Sequence, residues 1–501
     1  MKASKPIKTI AAIILSASTL LSFVSCSKKN DTKTAGGSVV VGITQEPGIF
    51  DPHTAVAAGD KEILFNIFEG LYKYSSDGTL NPALATNCTI SADCKEFVFD
   101  IRKDVKFHDG SDMTIDDVIY SVNRAKENDE NLASIASVEK EGDDKVKITL
   151  STANSEFLNF CTFAIVPQSV SDLGKEPIGT GPFKFKEYLA GQTVTLVKND
   201  NYWDGEHPYL DEVVFKICAD MDSGLTELQN GSIDIFPHMT KDKAELAGDK
   251  FDIVTGSANM IQIFALNNAV APFDNPKVRE AINYSVDKQD IIKLTMDGAG
   301  TELTTGMNPV IGKAYDTSLD GTYTKDVEKA KALLKEAGYE NGFDMTITVP
   351  SNYLVHVDTG VAIADQLKEV GINATIAQVD WSTWVSDVYQ GRNYQSTVIC
   401  LTPNYSPMDE IARYYSSSSE NFINYNNPEV DRIIDSIPTT LDETERISLY
   451  HELLGYLVSD SCSCYIQDPQ EITVVNRDLE GYMLYPMYIQ DMSTVKFKAE
   501  A

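Results

Sequence analysis

The chain has 501 residues, 74 of them acidic against 42 basic, and a formal net charge of −32. So acidic a body repels nucleic acid and anionic lipid headgroups, which excludes nucleic-acid binding and leaves cationic or zwitterionic solutes as the partners its field would attract. A length of this order is more than one hydrophobic core organises, so two or more lobes are expected.

In chain order, the first residues read as an address. Lys2, Lys5 and Lys8 precede an apolar run from Thr9 to Val24, broken by Ser16, Ser18, Thr19 and Ser22, and Ser25-Cys26 follows. A spanning helix needs roughly 20 apolar residues, so residues 1–25 suit a cleaved secretory signal. The small residue before Cys26 resembles a bacterial lipobox, which implies diacylglycerol on the Cys26 thiol. Phe23 stands where such motifs more often carry Leu, and an ordinary signal cut nearby is the alternative. Residues 26–37, polar and Gly-ended, are expected to be a flexible tether. No later stretch is apolar enough to cross a bilayer.

Ser38–Ile43, with its run of valines, reads as a strand. Cys88 to Lys106 reads as a hairpin turning at Ser91–Lys95, with Phe97, Phe99 and Ile101 on one face. Asp116–Ala125 is predicted helical, Val118, Ile119 and Val122 facing inward, and a strand pair brackets Gly142-Asp143-Asp144. A further hairpin carries Phe183–Phe185 out and Val194–Val197 back. Met260–Leu266 reads as a buried strand. Asn275 caps a helix opening at Pro276, with Val278, Ala281, Ile282 and Ser285 at i, i+3, i+4 and i+7. After a helix over Tyr323–Gly338 comes an α/β unit: strand Met345–Val349, helix Val361–Val370 stopped by Gly371, and strand Ala374–Val379. A helix over Asp442–Val458 and a strand at Ile472–Val475 follow.

Eight cysteines are present, and with Cys26 lipidated seven remain, so at least one is unpaired within the chain. Cys88 and Cys94 flank the hairpin turn and could pair. Cys462 and Cys464, two apart on a strand, would point to one face. For most of the seven a small buried side chain is the default.

Three stretches carry a family resemblance: Phe68 to Arg124, with Val105-Lys106-Phe107-His108-Asp109-Gly110; Gly179-Thr180-Gly181-Pro182-Phe183, followed by Asn199 to Trp203; and Ala271 to Lys288. Together they resemble the extracellular solute-binding proteins of the oligopeptide/dipeptide/nickel class, family 5. The resemblance implies an α/β fold of the two-lobed periplasmic-binding-protein type II (Venus flytrap) kind. It places lobe I at 38–262 plus 473–501, with an extra subdomain at 54–178, and lobe II at 263–472, joined by hinge strands at Ile261–Leu266 and near Ile472–Val475. It further implies a monomer outside the cytoplasm, anchored by lipid on Cys26, that takes a small solute, a peptide first, to ABC permease subunits and their ATPases. No cofactor, metal or catalysis is implied. Ligand contacts are expected from Trp381, Trp384, Asn404, Tyr405, Asn259 and Ala57.

Catalytic constellations do not stand out. There is no Gly-x-Ser-x-Gly elbow or Cys-x-x-Cys pair, and His451-Glu452-Leu453-Leu454-Gly455 lacks the second histidine of a zinc helix. Six histidines are scattered without ligand spacing, and His108 is expected to bond a turn rather than act as a base. An exported hydrolase using a carboxylate pair stays open as one alternative, a ligand-presenting receptor as another. Where peptide-binding relatives carry an aspartate that pairs with the ligand's α-ammonium, this sequence has Pro403-Asn404-Tyr405. An asparagine supplies no charge, which raises oligosaccharides or blocked peptides as cargoes, with nickel chelates behind them. Asp409 is a candidate substitute.

Overall fold

The computed structural model describes residues 36–401 and 406–499. The expected signal peptide, the lipidation at Cys26, Asn404 and Tyr405 lie outside the described residues. Gly36 and Gly37, read as the end of a tether, already belong to the folded body: their N–H groups donate to Tyr209 O and the Asp211 carboxylate.

Twelve of the described strands form one sheet. One half runs Ile372–Val379, Phe343–Pro350, Ser396–Leu401, Ile261–Leu266; the other runs Ile235–Phe236, Ser38–Ile43, Glu212–Ile217, Thr193–Lys198, Phe183–Leu189. Between them lies Cys464–Asn476, thirteen residues long. Its first residues pair with Ile261–Leu266, Phe264 opposite Cys464 and Gln262 opposite Gln467. Its last residues pair with Phe251–Ser257, from Ser257 opposite Gln470 to Phe251 opposite Asn476. The chain therefore passes between the halves at 257–261 and again at 467–470.

Local signals explain most elements. The Asn275 side chain accepts the Lys277 N–H at 3.0 Å, and Val278, Ala281, Ile282 and Ser285 are all buried. Thr114 and Asp117 form a reciprocal capping box at the start of the helix Ile115–Lys126. That helix lays Val118 and Val122 on Phe97, Phe99, Val146 and Ile148 of a separate four-stranded sheet. Several expected boundaries move, and the strand read at Ile472–Val475 begins at Cys464. The helix read as Val361–Val370 begins at Leu354, because Val357 and Ile363 continue one buried face across Gly360. The helix read as Tyr323–Gly338 begins at Val327, where Asp326 caps it.

The cysteines correct two expectations. Cys88 and Cys94 carry free thiols, as do Cys161, Cys218, Cys400, Cys462 and Cys464. Cys94 sits in a left-handed turn, buried, while Cys88 packs within its strand. Cys462 and Cys464 do not share a face: they enter two different core clusters. The strand starts only at Cys464, and Ser461 just before it is left-handed, so the two-residue alternation does not reach back to Cys462.

The small-sheet region also touches the far half of the molecule away from the two crossings. Ser155 donates from its N–H and its hydroxyl to Pro438 O and Ile437 O, at 2.8 and 2.9 Å. Beside it Glu156 accepts from Arg446 Nε at 3.2 Å, both side chains largely buried.

Candidate ligand-binding cleft

A cleft of about 730 Å³ lies beside the first crossing. Its walls are aromatic: Phe65, Phe68, Tyr74, Phe160, Phe163, Tyr485 and Tyr488. Leu64, Met260, Leu484 and Met487 add apolar surface, and Asn128, Asn131, Asn159 and Thr162 add neutral polar groups.

The residues behind these walls are the ones that make the sequence signatures recognisable. Glu69 is buried and accepts from Thr180 Oγ1 at 3.0 Å, Tyr202 Oη at 2.6 Å and Trp203 Nε1 at 2.8 Å. Burial pushes its carboxyl above the usual range against those three donors. His108 clips the Gly179–Gly181 turn from the other side: Nδ1 accepts the Gly179 N–H at 3.2 Å and Nε2–H donates to Gly181 O at 3.0 Å. Burial takes its pKa down to about 4, so the ring is neutral, as that donor–acceptor pair requires. The turn must be glycine because a Cβ at Gly179 would stand 2.1 Å from Ile67 O, and one at Gly181 would stand 2.7 Å from Asn66 O.

At the first crossing, Asp468 fixes the loop. Its two oxygens accept the Met260 N–H at 2.9 Å and the Ser257 hydroxyl at 2.6 Å. Held between them, Asn259 is left-handed at φ +53°, 2% exposed, and lines the cleft with neither amide atom hydrogen-bonded. Asparagine tolerates this backbone conformation. An orphaned buried amide is costly unless something else satisfies it.

Charged groups are few. His238, also left-handed at φ +59°, is clamped between Glu62 and Glu471, with Nε2–Oε1 at 2.5 Å and Nδ1–Oε1 at 2.9 Å. Burial alone would lower its pKa, but the hydrogen bonds and charges of Glu471 and Glu62 win and push it up to about 10. His53, the other histidine on the cleft, accepts from Arg124 at Nδ1 and donates from Nε2 to Ala164 O, both at 2.8 Å, and burial pulls its pKa down. Both cleft histidines thus have both ring nitrogens engaged.

Of the other expected contacts, Ala57 caps the short helix Ala58–Leu64 through its carbonyl and does not line the cleft, whereas its neighbours Ala55 and Val56 do. Trp384 is core: 4% exposed, with Nε1 bonded to Thr397 Oγ1 at 3.0 Å. Trp381 stacks flat on it, centroids 5.3 Å apart and planes at 8°, and remains 43% exposed with Tyr353 edge-on at 5.4 Å. Neither tryptophan is among the residues lining the cleft. Ser406 lines it, immediately after Asn404 and Tyr405 in sequence. His238, Glu471 and the segment Leu484–Gln490 were not singled out from sequence; the cluster of Tyr485, Met487 and Tyr488 without strand alternation was the available signal.

With this geometry in view, comparison with known proteins is decisive. A family model described as bacterial extracellular solute-binding proteins, family 5 (middle region), matches residues 79–422. The chain belongs to that family. This family 5 protein is 28% identical over 542 aligned positions to the oligopeptide-binding protein AppA of Bacillus subtilis (strain 168), covering 97% of each chain. It is 30% identical over 453 to heme-binding protein A of Haemophilus influenzae, covering 81% of each. The solved structure of Bacillus subtilis AppA in complex with a nonapeptide superposes with a TM-score of 0.70 at 25% identity, over 93% of this chain and 99% of that one. The fold is the two-lobed type II fold of that family, and the family acts outside the cytoplasm. No helix of the described residues is long and apolar enough to cross a membrane.

Proposed function

We propose that this protein is the substrate-binding component of an ABC import system, taking up an oligopeptide in the cleft and delivering it to permease subunits powered by separate ATPases. The observation that carries this reading is Asn259: a buried amide with an unused donor and an unused acceptor, the complement of a peptide unit's C=O and N–H. The cleft volume and its mix of aromatic walls with a few polar groups are those of a ligand site. The nonapeptide-bound relative supports the same cargo class. A metal chelate is disfavoured because His53 and His238 have no free ring nitrogen to offer.

Lobe I comprises 38–262 plus 473–501, with the subdomain at 54–178, and lobe II comprises 263–472. The change of partners along Cys464–Asn476 between Gln467 and Gln470 supports a division at, or a few residues before, these limits. Trp381, backed by Trp384, closes onto the ligand from lobe II as the hinge shuts. Ser406 on the cleft supports contacts from its neighbours Asn404 and Tyr405. The protein is a monomer, held at the membrane by lipid on Cys26, and does no chemistry on its cargo.

The test is a thermal-shift screen of protein beginning at residue 27, against peptides of graded length, oligosaccharides and nickel–histidine. A ligand that binds only the folded state raises the melting point. Peptides should raise it. Stabilisation by glycans or nickel complexes alone, or turnover of the added peptides, would overturn the reading.

A further inference from the structure

We propose that the cleft of this protein selects a cationic group, an alkylammonium or a guanidinium, at Glu471. The inference rests on the peptide reading above. His238 meets Glu471 twice at one oxygen: Oε1 accepts its backbone N–H at 2.9 Å and forms an ion pair with its ring Nδ1 at 2.9 Å. Oε2 of Glu471 makes no hydrogen bond with the described residues. Two carboxylates around one imidazolium leave a net charge of about −1. The inner carboxylate, Glu62, is 4% exposed and the outer, Glu471, 19%, so Glu471 presents the surplus to the cleft. Lys61, also on the cleft wall, forms no ion pair with either among the described residues. The imidazolium offers nothing to an anion, because both ring N–H groups are already donated.

Asn259 points independently to a ligand at the same place. Glu471 lies opposite Gly256 in the sheet, and Asn259 is three residues on, at most about 11 Å of chain. A peptide whose main chain bonds the Asn259 amide therefore puts a basic side chain, or an amino terminus within a few residues, in range of Glu471. Tyr488 lines the same cleft. Its hydroxyl is held above its ordinary range by burial and by the charges of Glu62 and Glu471, so their negative field extends into the cleft.

The experiment is calorimetric titration of the mature chain with one peptide sequence in four forms: N-acetylated with lysine, norleucine or glutamate at a single position, and the norleucine form with a free amino terminus. A charge-assisted hydrogen bond makes the preferred cationic form bind at least about tenfold more tightly than the acetylated norleucine form. Preference for the lysine form identifies a side-chain cation, and preference for the free amine a terminal one. The margin should vanish in Glu471→Gln and survive in Glu471→Asp. Equal affinity for all four forms leaves the peptide reading standing and overturns the cation site, as does an undiminished margin in a normally melting Glu471→Gln variant. Binding of none of the four refutes the peptide reading and this inference with it. Should Glu471→Gln fail to fold, the wild-type comparison of the lysine and free-amine forms with the acetylated norleucine form decides: a preference of at least about tenfold for either supports the cation site, and none overturns it.

Discussion

Replacing Asn259 by glycine separates a ligand-binding amide from a structural one, because the two roles move stability and affinity in opposite ways. In the free protein the amide contributes two buried, unsatisfied atoms, each of which costs about 1–3 kcal/mol. Its backbone at φ +53° is one that glycine adopts freely. Against these gains stand the extra chain entropy of glycine, about 0.5–1 kcal/mol, and some lost packing. Two such atoms cost about 2–6 kcal/mol together, more than the glycine entropy, so before packing losses the ligand-free variant gains about 1 kcal/mol or more and its melting point should equal or exceed that of wild type. Affinity should fall by about 1–3 kcal/mol, roughly five- to hundredfold, as two hydrogen bonds to the ligand disappear. Calorimetric titration with the best peptide of the screen, together with thermal melts of the free protein, reads both quantities. Unchanged affinity would show that Asn259 does not touch the ligand. A melting point several degrees lower would show that its amide has partners in the folded protein.

Three further outcomes follow from the same geometry. His238 has a folded-state pKa raised to about 10 above its unfolded value of about 6.5; its contribution is therefore fully present below about pH 6.5 and is lost as pH climbs through 10. Thermal melts should decline across that window in wild type and decline less in His238→Gln; parallel profiles would refute the clamp. Glu156→Ala breaks the ion pair with Arg446. Breaking a buried pair costs roughly 3–5 kcal/mol, and since Arg446 keeps its bonds to Thr440 O and Leu441 O we expect about 2 kcal/mol, with Glu156→Gln recovering most of it; equal melting of all three proteins would place that contact outside the stability of the fold. Ellman titration of the denatured, unreduced chain from residue 27 should find seven thiols, and five would mean that one pair, Cys88–Cys94 for instance, oxidises.

How far the molecule was legible in its sequence depended on how local each signal was. The start and buried face of the Asn275-Pro276 helix are legible to the residue because cap, proline and apolar period fall within eleven positions. Strand Ser38–Ile43 and the hairpins around Ser91–Lys95 and Ala190–Gln192 were local in the same sense. The helix expected at Val361–Val370 begins seven residues earlier, at Leu354, where Gly360 packs towards Ile347, Val349 and Ile376 and does not interrupt it. In the cleft, Asn259 was reached only through the family resemblance, and Trp384 was mistaken for a contact because composition does not distinguish the two members of a stacked pair. His238 and Glu471 are 233 positions apart and meet only because Cys464–Asn476 passes beside Ile235–Phe236. No period or spacing reports that meeting.

Most of the polar residues in the family signatures bond to one another, while Phe68 and Tyr74 of the same stretches line the cleft. Glu69, His108, Gly179, Gly181, Tyr202 and Trp203 are bonded to one another behind the cleft, and they fasten the subdomain to the sheet whatever the ligand. The cleft surface comes from Phe65, Phe68, Tyr74, Phe160 and Phe163 together with the crossing loop 258–260, the turn at His238, Glu471 and the late segment 484–490. Asp468 and Glu471 sit on the strand that passes between the lobes, one fixing the loop that presents Asn259 and the other facing the cleft. A ligand that bonds both Asn259 and Glu471 therefore pulls on both sides of the second crossing. That is where a preference for the closed state can be set by the cargo, since a ligand shifts the hinge only by what it gains in one state over the other.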